Sequence, residues 1–340
     1  MRGCERGAGR ARRAGLLLSV LLLLALRGSG GAASLGARLL CARAPGLTER
    51  QRALCRAAPA AVGTIAGGLR MAYAECRAQL AGRRWNCSGV GDGDHFGHVM
   101  PLASREAALV YALAAAGAAH ALAAACARGD LPACGCPRRR AAEQWEGGGA
   151  RCGEVAYGAR LARRFLDARE LEGDARAAMN LHNNRLGRKM VKEMVRRECK
   201  CHGVSGSCAV RTCWRALPPF RALARALVVA YGRAQQVVPL ERGTSVDGRV
   251  NIQLIVKRAR RAARRGELVF LQPSPSYCEP APGAGPGAAG TRGRACNASS
   301  AGEEGCGSLC CGRGYSTERR AERVQCRCRF HWCCRVRCDT

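Results

Sequence analysis

Four cysteines fall within the stretch Cys199–Cys213, CKCHGVSGSCAVRTC, with Cys201 and Cys208 lying inside Cys199 and Cys213. Nested pairing would draw the segment into a hairpin whose tip is His202–Gly203–Val204–Ser205–Gly206–Ser207. Gly203 and Gly206 permit the positive φ that a tight tip needs, and only small side chains flank Ser205. Such a loop is built to hold one small hydroxyl where another molecule can reach it. A bridge closing a loop of about 15 residues is worth roughly 3 kcal/mol in the chain-entropy model. The plainer reading is a stapled turn with no partner.

Two other chemistries compete for these residues. His202 beside Ser205 suggests a hydrolase, but G-x-S-x-G fails because position 207 is Ser, and cysteines bracket the loop where a strand-to-helix turn is required. Zinc at Cys134–Gly135–Cys136 or Cys326–Arg327–Cys328 competes poorly with disulfides in an oxidising compartment. The expectation is therefore no catalytic residue, no metal and no enzyme.

The tip needs a base. Leu186, Met190 and Met194 recur every four residues, so Asp174 to Glu198 reads as a helix with one buried face that delivers the chain into the hairpin. Upstream, a helical stretch runs from Tyr157 to about Glu170. Ser104 can N-cap a helix reaching about Cys126, with Glu106 near its positive end. Its uncharged window Ala107–Ala127 is long enough to span a bilayer, but it is mostly alanine, interrupted by Gly117 and His120; a packed core helix is the better reading. Earlier still, Ile65, Leu69, Ala72 and Cys76 keep helical spacing. Downstream, Phe220–Tyr231 reads as a helix, and Val250–Lys257 and Leu268–Leu271 as strands.

The chain has 340 residues, 23 of them cysteine, with 56 Lys or Arg against 25 Asp or Glu, a net charge of +31. That cysteine density suits an oxidising compartment and is improbable in the cytosol. Aromatics are only 4%, so the core is thin and disulfides must contribute much of the stability. A basic start, an apolar run Leu16–Leu26 and small residues at Gly28–Ala33 read as a signal peptide over residues 1–33. Export through the ER to the extracellular space and matrix turns the basic charge away from nucleic acid and towards acidic glycans. The densest run, Lys257, Arg258, Arg260, Arg261, Arg264 and Arg265, fits a heparan sulfate patch. Asn86 and Asn297 sit in N-x-S sequons, with Cys87 at the middle position of the first.

Residues 34–271 form one mainly helical domain by this reading. A Pro- and Gly-rich linker or loop, 272–293, leads into a cystine-framed part, 278–340, where 10 of 63 residues are cysteine. Phe330, Trp332 and Val336 are bulky and apolar in a charged neighbourhood near its end; exposed together, they form a contact surface.

C-K-C-H-G-V-S-G-S-C resembles a signature of the Wnt family of secreted signalling glycoproteins. Arg83–Arg84–Trp85–Asn86–Cys87, Met179–Asn184, Gly290–Arg294, Leu309–Gly314 and Phe330–Cys334 are similar to other Wnt segments and occur in the family's order. The resemblance implies an α+β, disulfide-rich, two-domain fold: a helical N-terminal domain bearing a lipidated hairpin (the thumb), and a small cystine-rich C-terminal domain with an extended hairpin (the index finger). It implies a mono-unsaturated sixteen-carbon acyl ester on Ser205, with no other cofactor. It also implies contact with the cysteine-rich domain of a Frizzled receptor through Ser205 and Val204 and through Phe330, Trp332, Cys333, Cys334 and Val336. A low-density-lipoprotein-receptor-related co-receptor, a membrane-bound O-acyltransferase and a Wntless-type carrier complete the implied partners.

Family pairing joins Cys76 to Cys87, Cys126 to Cys134, Cys136 to Cys152, Cys199 to Cys213, and Cys201 to Cys208. Downstream it joins Cys278 to Cys311, Cys296 to Cys306, Cys328 to Cys338, and Cys333 to Cys334. Cys41 and Cys55 could pair locally. The family usually has two further cysteines after the position of Cys338, and by that logic Cys310 and Cys326 are left over. A glycan-bound decoy or non-signalling matrix protein is the alternative to a signalling ligand.

Overall fold

The computed structural model describes residues 41–42, 44–93, 96, 100–131, 134, 154–170, 172–244, 250–281, 283, 285–318 and 324–339. The signal-peptide expectation and the Cys136–Cys152 pairing lie outside them.

An alanine-rich helix forms the centre of the helical part. The helices are α1 (Glu49–Ala57), α2 (Pro59–Leu80), α3 (Arg105–Arg128), α4 (Glu154–Leu166), α5 (Ala175–Glu193) and α6 (Phe220–Gly232). Helix α3 packs against α2, α4, α5 and α6. It is long and apolar enough to cross a membrane by length and composition, yet 83% of its most apolar window is buried inside the fold. Small residues let these helices approach backbone to backbone. A Cβ on Gly187 of α5 would lie 2.0 Å from the Ala112 carbonyl, and one on Gly68 of α2 would lie 2.4 Å from that of Gly117. Alanine and glycine thus set the close approach of these helices, with Ile65, Leu69, Leu113, Leu122, Phe165 and Met179 fully buried beside them.

Local signals set the helix ends. Thr48 and Gln51 form a reciprocal capping box at α1. Gly129, at φ 83°, closes α3 through backbone bonds to Ala125 and Cys126. Ser104 holds the N-cap position of α3, but its side chain makes no capping bond, contrary to the expectation from its type. Ser104 is fully buried where the chain packs against the segment after residue 270.

Helix α5 stops at Glu193, short of the expected Glu198. Arg196–Cys201 instead forms strand β1, paired antiparallel with β2 (Arg211–Ala216). The tertiary pairing of Glu198 with Trp214 overrides helical propensity over that last turn. Helix α4 likewise gives way to a 3₁₀ turn at Asp167–Arg169.

A four-stranded sheet, ordered β5-β4-β3-β6, lies beside α5. Its strands are β3 (Gln235–Thr244), β4 (Val250–Val256), β5 (Arg261–Ala262) and β6 (Val269–Phe270). Strand β3 escaped sequence reading because Pro239 interrupts it. Strand β6 covers only Gln235 and Gln236, so beyond them β3 is an edge strand, where proline is tolerated. Asn183 on α5 completes the ladder: its amide donates to the Val269 carbonyl at 2.9 Å and accepts from the Val269 N–H at 3.0 Å.

The Pro- and Gly-rich stretch is a loop strapped onto the helices. Glu106 is buried, and its carboxylate accepts hydrogen bonds from Tyr231 (2.8 Å), Ser274 (2.7 Å) and Tyr277 (3.0 Å). The Trp85 indole donates to the Pro286 carbonyl at 2.9 Å. Beyond it, Arg294 donates to the Ala81, Arg83 and Arg84 carbonyls at the C-terminal end of α2. From Cys278 onward the only buried apolar side chains among the described residues are Ala288, Cys306 and Leu309. Cys278–Cys311, Cys296–Cys306 and Cys328–Cys338 hold this part, with one short helix, α7 (Cys306–Leu309), and the hairpin β7 (Cys326–His331)–β8 (Arg335–Asp339).

Candidate functional site

Two hairpins carry the candidate residues. In the first, Cys199 lies directly opposite Cys213, bridged at a Cα separation of 4.0 Å, and Cys201–Cys208 closes the tip at 4.6 Å. Within the tip, the Gly203 N–H donates to Ser207 O (2.9 Å), the Gly206 N–H to Gly203 O (2.9 Å) and the Ser207 N–H to Val204 O (3.1 Å). This wraps Val204–Gly206 into one 3₁₀ turn.

The positive φ falls on Ser205 (57°) and Gly206 (77°), whereas Gly203 sits at φ −69°. The expectation that Gly203 supplies left-handed backbone is corrected: its reason to be glycine is space. A Cβ there would lie 2.4 Å from the Ser207 hydroxyl and 2.7 Å from its carbonyl. A non-glycine residue in the left-handed region is uncommon and marks local strain held by its surroundings. Here two nested disulfides hold it. Ser205 is exposed, and Val204 beside it is 90% exposed. His202 hydrogen-bonds the Thr212 hydroxyl across the hairpin at 2.8 Å.

The second hairpin presents Phe330 (67% exposed), Trp332 (95%) and Val336 (63%). Phe330 and Val336 are directly opposite, below a turn in which Cys333 and Cys334 take φ of 70° and 76°. The expected Cys333–Cys334 bond is absent, and both thiols are free and exposed. A bond between neighbours closes an eight-membered ring around their shared peptide; here two successive left-handed residues close the hairpin instead. Cys310 and Cys326 are also free. The Cys310 sulfur lies 3.7 Å from that of Cys296. Cys296, Cys306 and Cys310 cluster closely enough to resemble a metal site, but Cys296 and Cys306 are bonded to each other, which removes two ligands.

Most of the basic run is exposed, but Arg261 forms a double hydrogen bond to Glu267 (2.9 and 2.5 Å). That bond raises the arginine pKa and lowers that of the carboxyl. Asn297 is exposed, and its side-chain oxygen accepts from the Ser299 hydroxyl at 2.9 Å. Asn86 is half-buried beside Cys87, which is fully buried in its bridge to Cys76.

Two features had no usable sequence signal. Glu106 looked like a helix-dipole residue and is a buried junction. Glu170, half-buried against Asn180 (2.9 Å), has its pKa pushed up to about 7, chiefly by loss of hydration. One feature did have a signal: the alternation Arg327–Cys328–Arg329 and Arg335–Val336–Arg337 marks two-faced strands.

A helical body and a cystine-framed second part, each carrying a hairpin with exposed apolar residues at its tip, define a two-part, disulfide-rich protein. The sequence profile of the Wnt family matches residues 43–340. Protein Wnt-2 of Drosophila melanogaster is 44% identical, with 95% of each chain covered. Protein Wnt-2b of Homo sapiens is 44% identical over 90% of this chain and 78% of that protein. In a solved structure, human WLS in complex with WNT8A, one chain superposes with a TM-score of 0.57 at 33% identity, covering 82% of this chain and 89% of that one. The chain belongs to the Wnt family of secreted signalling ligands.

Proposed function

We propose that this protein is a lipid-modified ligand that grips the cysteine-rich domain of a Frizzled-type receptor at two separated places. The supporting observation is the pair of exposed tips, Val204–Ser205 and Phe330–Trp332–Val336, each on a ladder locked by a cross-strand disulfide. Ser205 fits the modification. Its hydroxyl stands at an exposed left-handed position among small neighbours, open to an O-acyltransferase. A sixteen-carbon acyl group there supplies apolar surface, whose burial at about 0.8 kcal/mol per CH₂ amounts to on the order of 10 kcal/mol before ordering costs.

The finger residues supply the second contact by burying aromatic surface in the receptor domain. A low-density-lipoprotein-receptor-related co-receptor binds elsewhere, and bringing the two receptors together is the signal. Export through the ER uses a Wntless-type carrier, a reading supported by the likeness to the WLS-bound chain. In the matrix, the run from Lys257 to Arg265 holds heparan sulfate, and Asn297 and Asn86 carry glycans.

The test is mass spectrometry of the secreted protein's peptide Cys201–Arg211, together with a receptor reporter. The parent should show an unsaturated acyl ester and signal; Ser205→Ala should be folded and silent. Full signalling by Ser205→Ala would sink the mechanism.

A further inference from the structure

The Ser205 hairpin has a charge pattern behind its tip. The tip itself is apolar, with Val204 90% and Val210 54% exposed. Behind it, the ladder Arg196–Cys201 with Arg211–Ala216 carries five cations, Arg196, Arg197, Lys200, Arg211 and Arg215, against one acid, Glu198. All six charged side chains are exposed. No ion pair among the described residues holds Lys200, Arg211 or Arg215.

In an antiparallel ribbon, directly opposed residues share a face and the next pair points the other way. Arg197 opposite Arg215, and Arg211 opposite Cys201, lie on one face; Arg196 and Lys200 lie on the other. The charge therefore encircles the stem. Arg197 facing Arg215 is a like-charge pair that works against a ladder the Cys199–Cys213 bridge holds shut. Height along the stem orders these charges. Lys200 and Arg211 stand next to the tip, and at about 3.4 Å per residue Arg215 lies about 14 Å behind Arg211. A bilayer's headgroup layer is about 5–8 Å deep, and its electrostatic pull reaches roughly one Debye length, about 8 Å, beyond. With the tip in hydrocarbon, Lys200 and Arg211 stand among the headgroups, and Arg196, Arg197 and Arg215 stand at the outer edge of their field.

We propose that this hairpin inserts its tip into a lipid leaflet and that the basic collar, Lys200 and Arg211 first, binds the anionic headgroups around it. The inference rests on the acyl-ester reading of Ser205 and adds a second anchor to it. One fatty acyl chain gives reversible membrane binding, and stable anchoring takes a second signal such as a polybasic patch. A collar suits an upright prong, because charges on both faces are then equally near the surface; an element lying flat needs them on one face. A soluble acidic peptide would meet the collar without using Val204 and Val210 beside it. The acyl chain cannot lie in the leaflet and in a receptor groove at once, so receptor engagement draws the tip out of the membrane.

The experiment measures co-sedimentation of the secreted full chain with vesicles of phosphatidylcholine alone and of phosphatidylcholine mixed with phosphatidylserine, at several salt concentrations. Mass spectrometry of Ser205 and mapping of Cys199–Cys213 and Cys201–Cys208 show that every variant is acylated and its ribbon intact. The parent should bind the anionic vesicles about tenfold tighter or more, with the preference collapsing at high salt. K200Q/R211Q should lose about tenfold on anionic vesicles and change less than twofold on neutral ones. K200R/R211K should bind as the parent does. R160Q/R164Q removes two exposed charges from α4 and should change anionic binding less than twofold. Added Frizzled cysteine-rich domain should release the parent from both vesicles. Equal binding of the acylated parent to the two vesicles overturns the proposal, as does parent-like binding by K200Q/R211Q or an equal loss in R160Q/R164Q. Loss of receptor-domain binding by K200Q/R211Q in detergent, with vesicle binding kept, also overturns it and assigns the collar to a protein contact. Failure of the acyl reading alone has a separate signature: an unmodified Ser205 in a parent that still prefers anionic vesicles and loses that preference in K200Q/R211Q.

Discussion

The helical and cystine-framed parts reach order by opposite means. Around α3 the order comes from contact: backbones pressed together through alanine and glycine, with Glu106 and Asn183 joining the helices to the strap and the sheet. Among the described residues from Cys278 onward there is almost no interior, and three disulfides with a few arginine–carbonyl bonds hold the chain. The helical part also has short-range bridges, Cys41–Cys55, Cys76–Cys87 and Cys126–Cys134, and the first two lie buried inside its core. A thin core of small side chains serves when helices can approach closely, whereas a chain without helices to pack must be stapled.

The largest expected effect breaks the contact-built side. Gly187→Leu drives a side chain into the Ala112 carbonyl and should cost about 4 kcal/mol or more, read as lost secretion and a collapsed thermal transition. On the stapled side, removing Cys278–Cys311 as a Cys278→Ser/Cys311→Ser pair opens a loop spanning 33 residues and should cost about 4 kcal/mol or a little less. Its effect should be local: limited proteolysis should cut beyond residue 278 while the helices stay protected. Equal cleavage in both parts would erase the contrast.

Glu106→Ala tests the junction. It strands the hydroxyls of Tyr231, Ser274 and Tyr277 and should cost about 3 kcal/mol, with the strap detaching first in hydrogen exchange. The smallest effect is a pH response confined to the helical side. Glu170 has a folded pKa raised from 4.5 to about 7, so between those values the folded state holds a proton that the unfolded state has lost. Stability is therefore full below about pH 4.5 and declines as pH rises towards 7. The decline should be on the order of 1–2 kcal/mol after allowance for partial exposure. Thermal melts across that range should show it in the parent, and Glu170→Gln should flatten it. An unchanged slope in that variant would remove Glu170 as the cause.

What the sequence made legible was whatever depends on local spacing. The nested cysteines of the thumb, the four-residue recurrence along α5 and the alanine helix all translate directly into structure. What stayed hidden depends on distant partners. The last turn of the expected α5 became strand because Trp214 and Arg215 lie across from it. Pro239 concealed β3 because the single-residue rule carries no knowledge of which strand is an edge. Gly203 was assigned the wrong reason for being glycine, since a clash with Ser207 exists only after the tip has closed. The Cys333–Cys334 bond, an inference from resemblance, gave way to turn geometry. The candidate tips themselves were readable because exposed bulky groups and a bracketed serine are conspicuous in a charged chain.

The alanine helix has a consequence for the entropy of folding. An alanine side chain has no rotamers to lose on folding, so ordering α3 costs backbone entropy and little else. The alanine positions of α3 therefore order with no side-chain entropy to lose, while Leu109, Leu113 and Leu122 supply its bulky, fully buried contacts. The helix that packs against four others is thereby ordered at a low side-chain entropy cost.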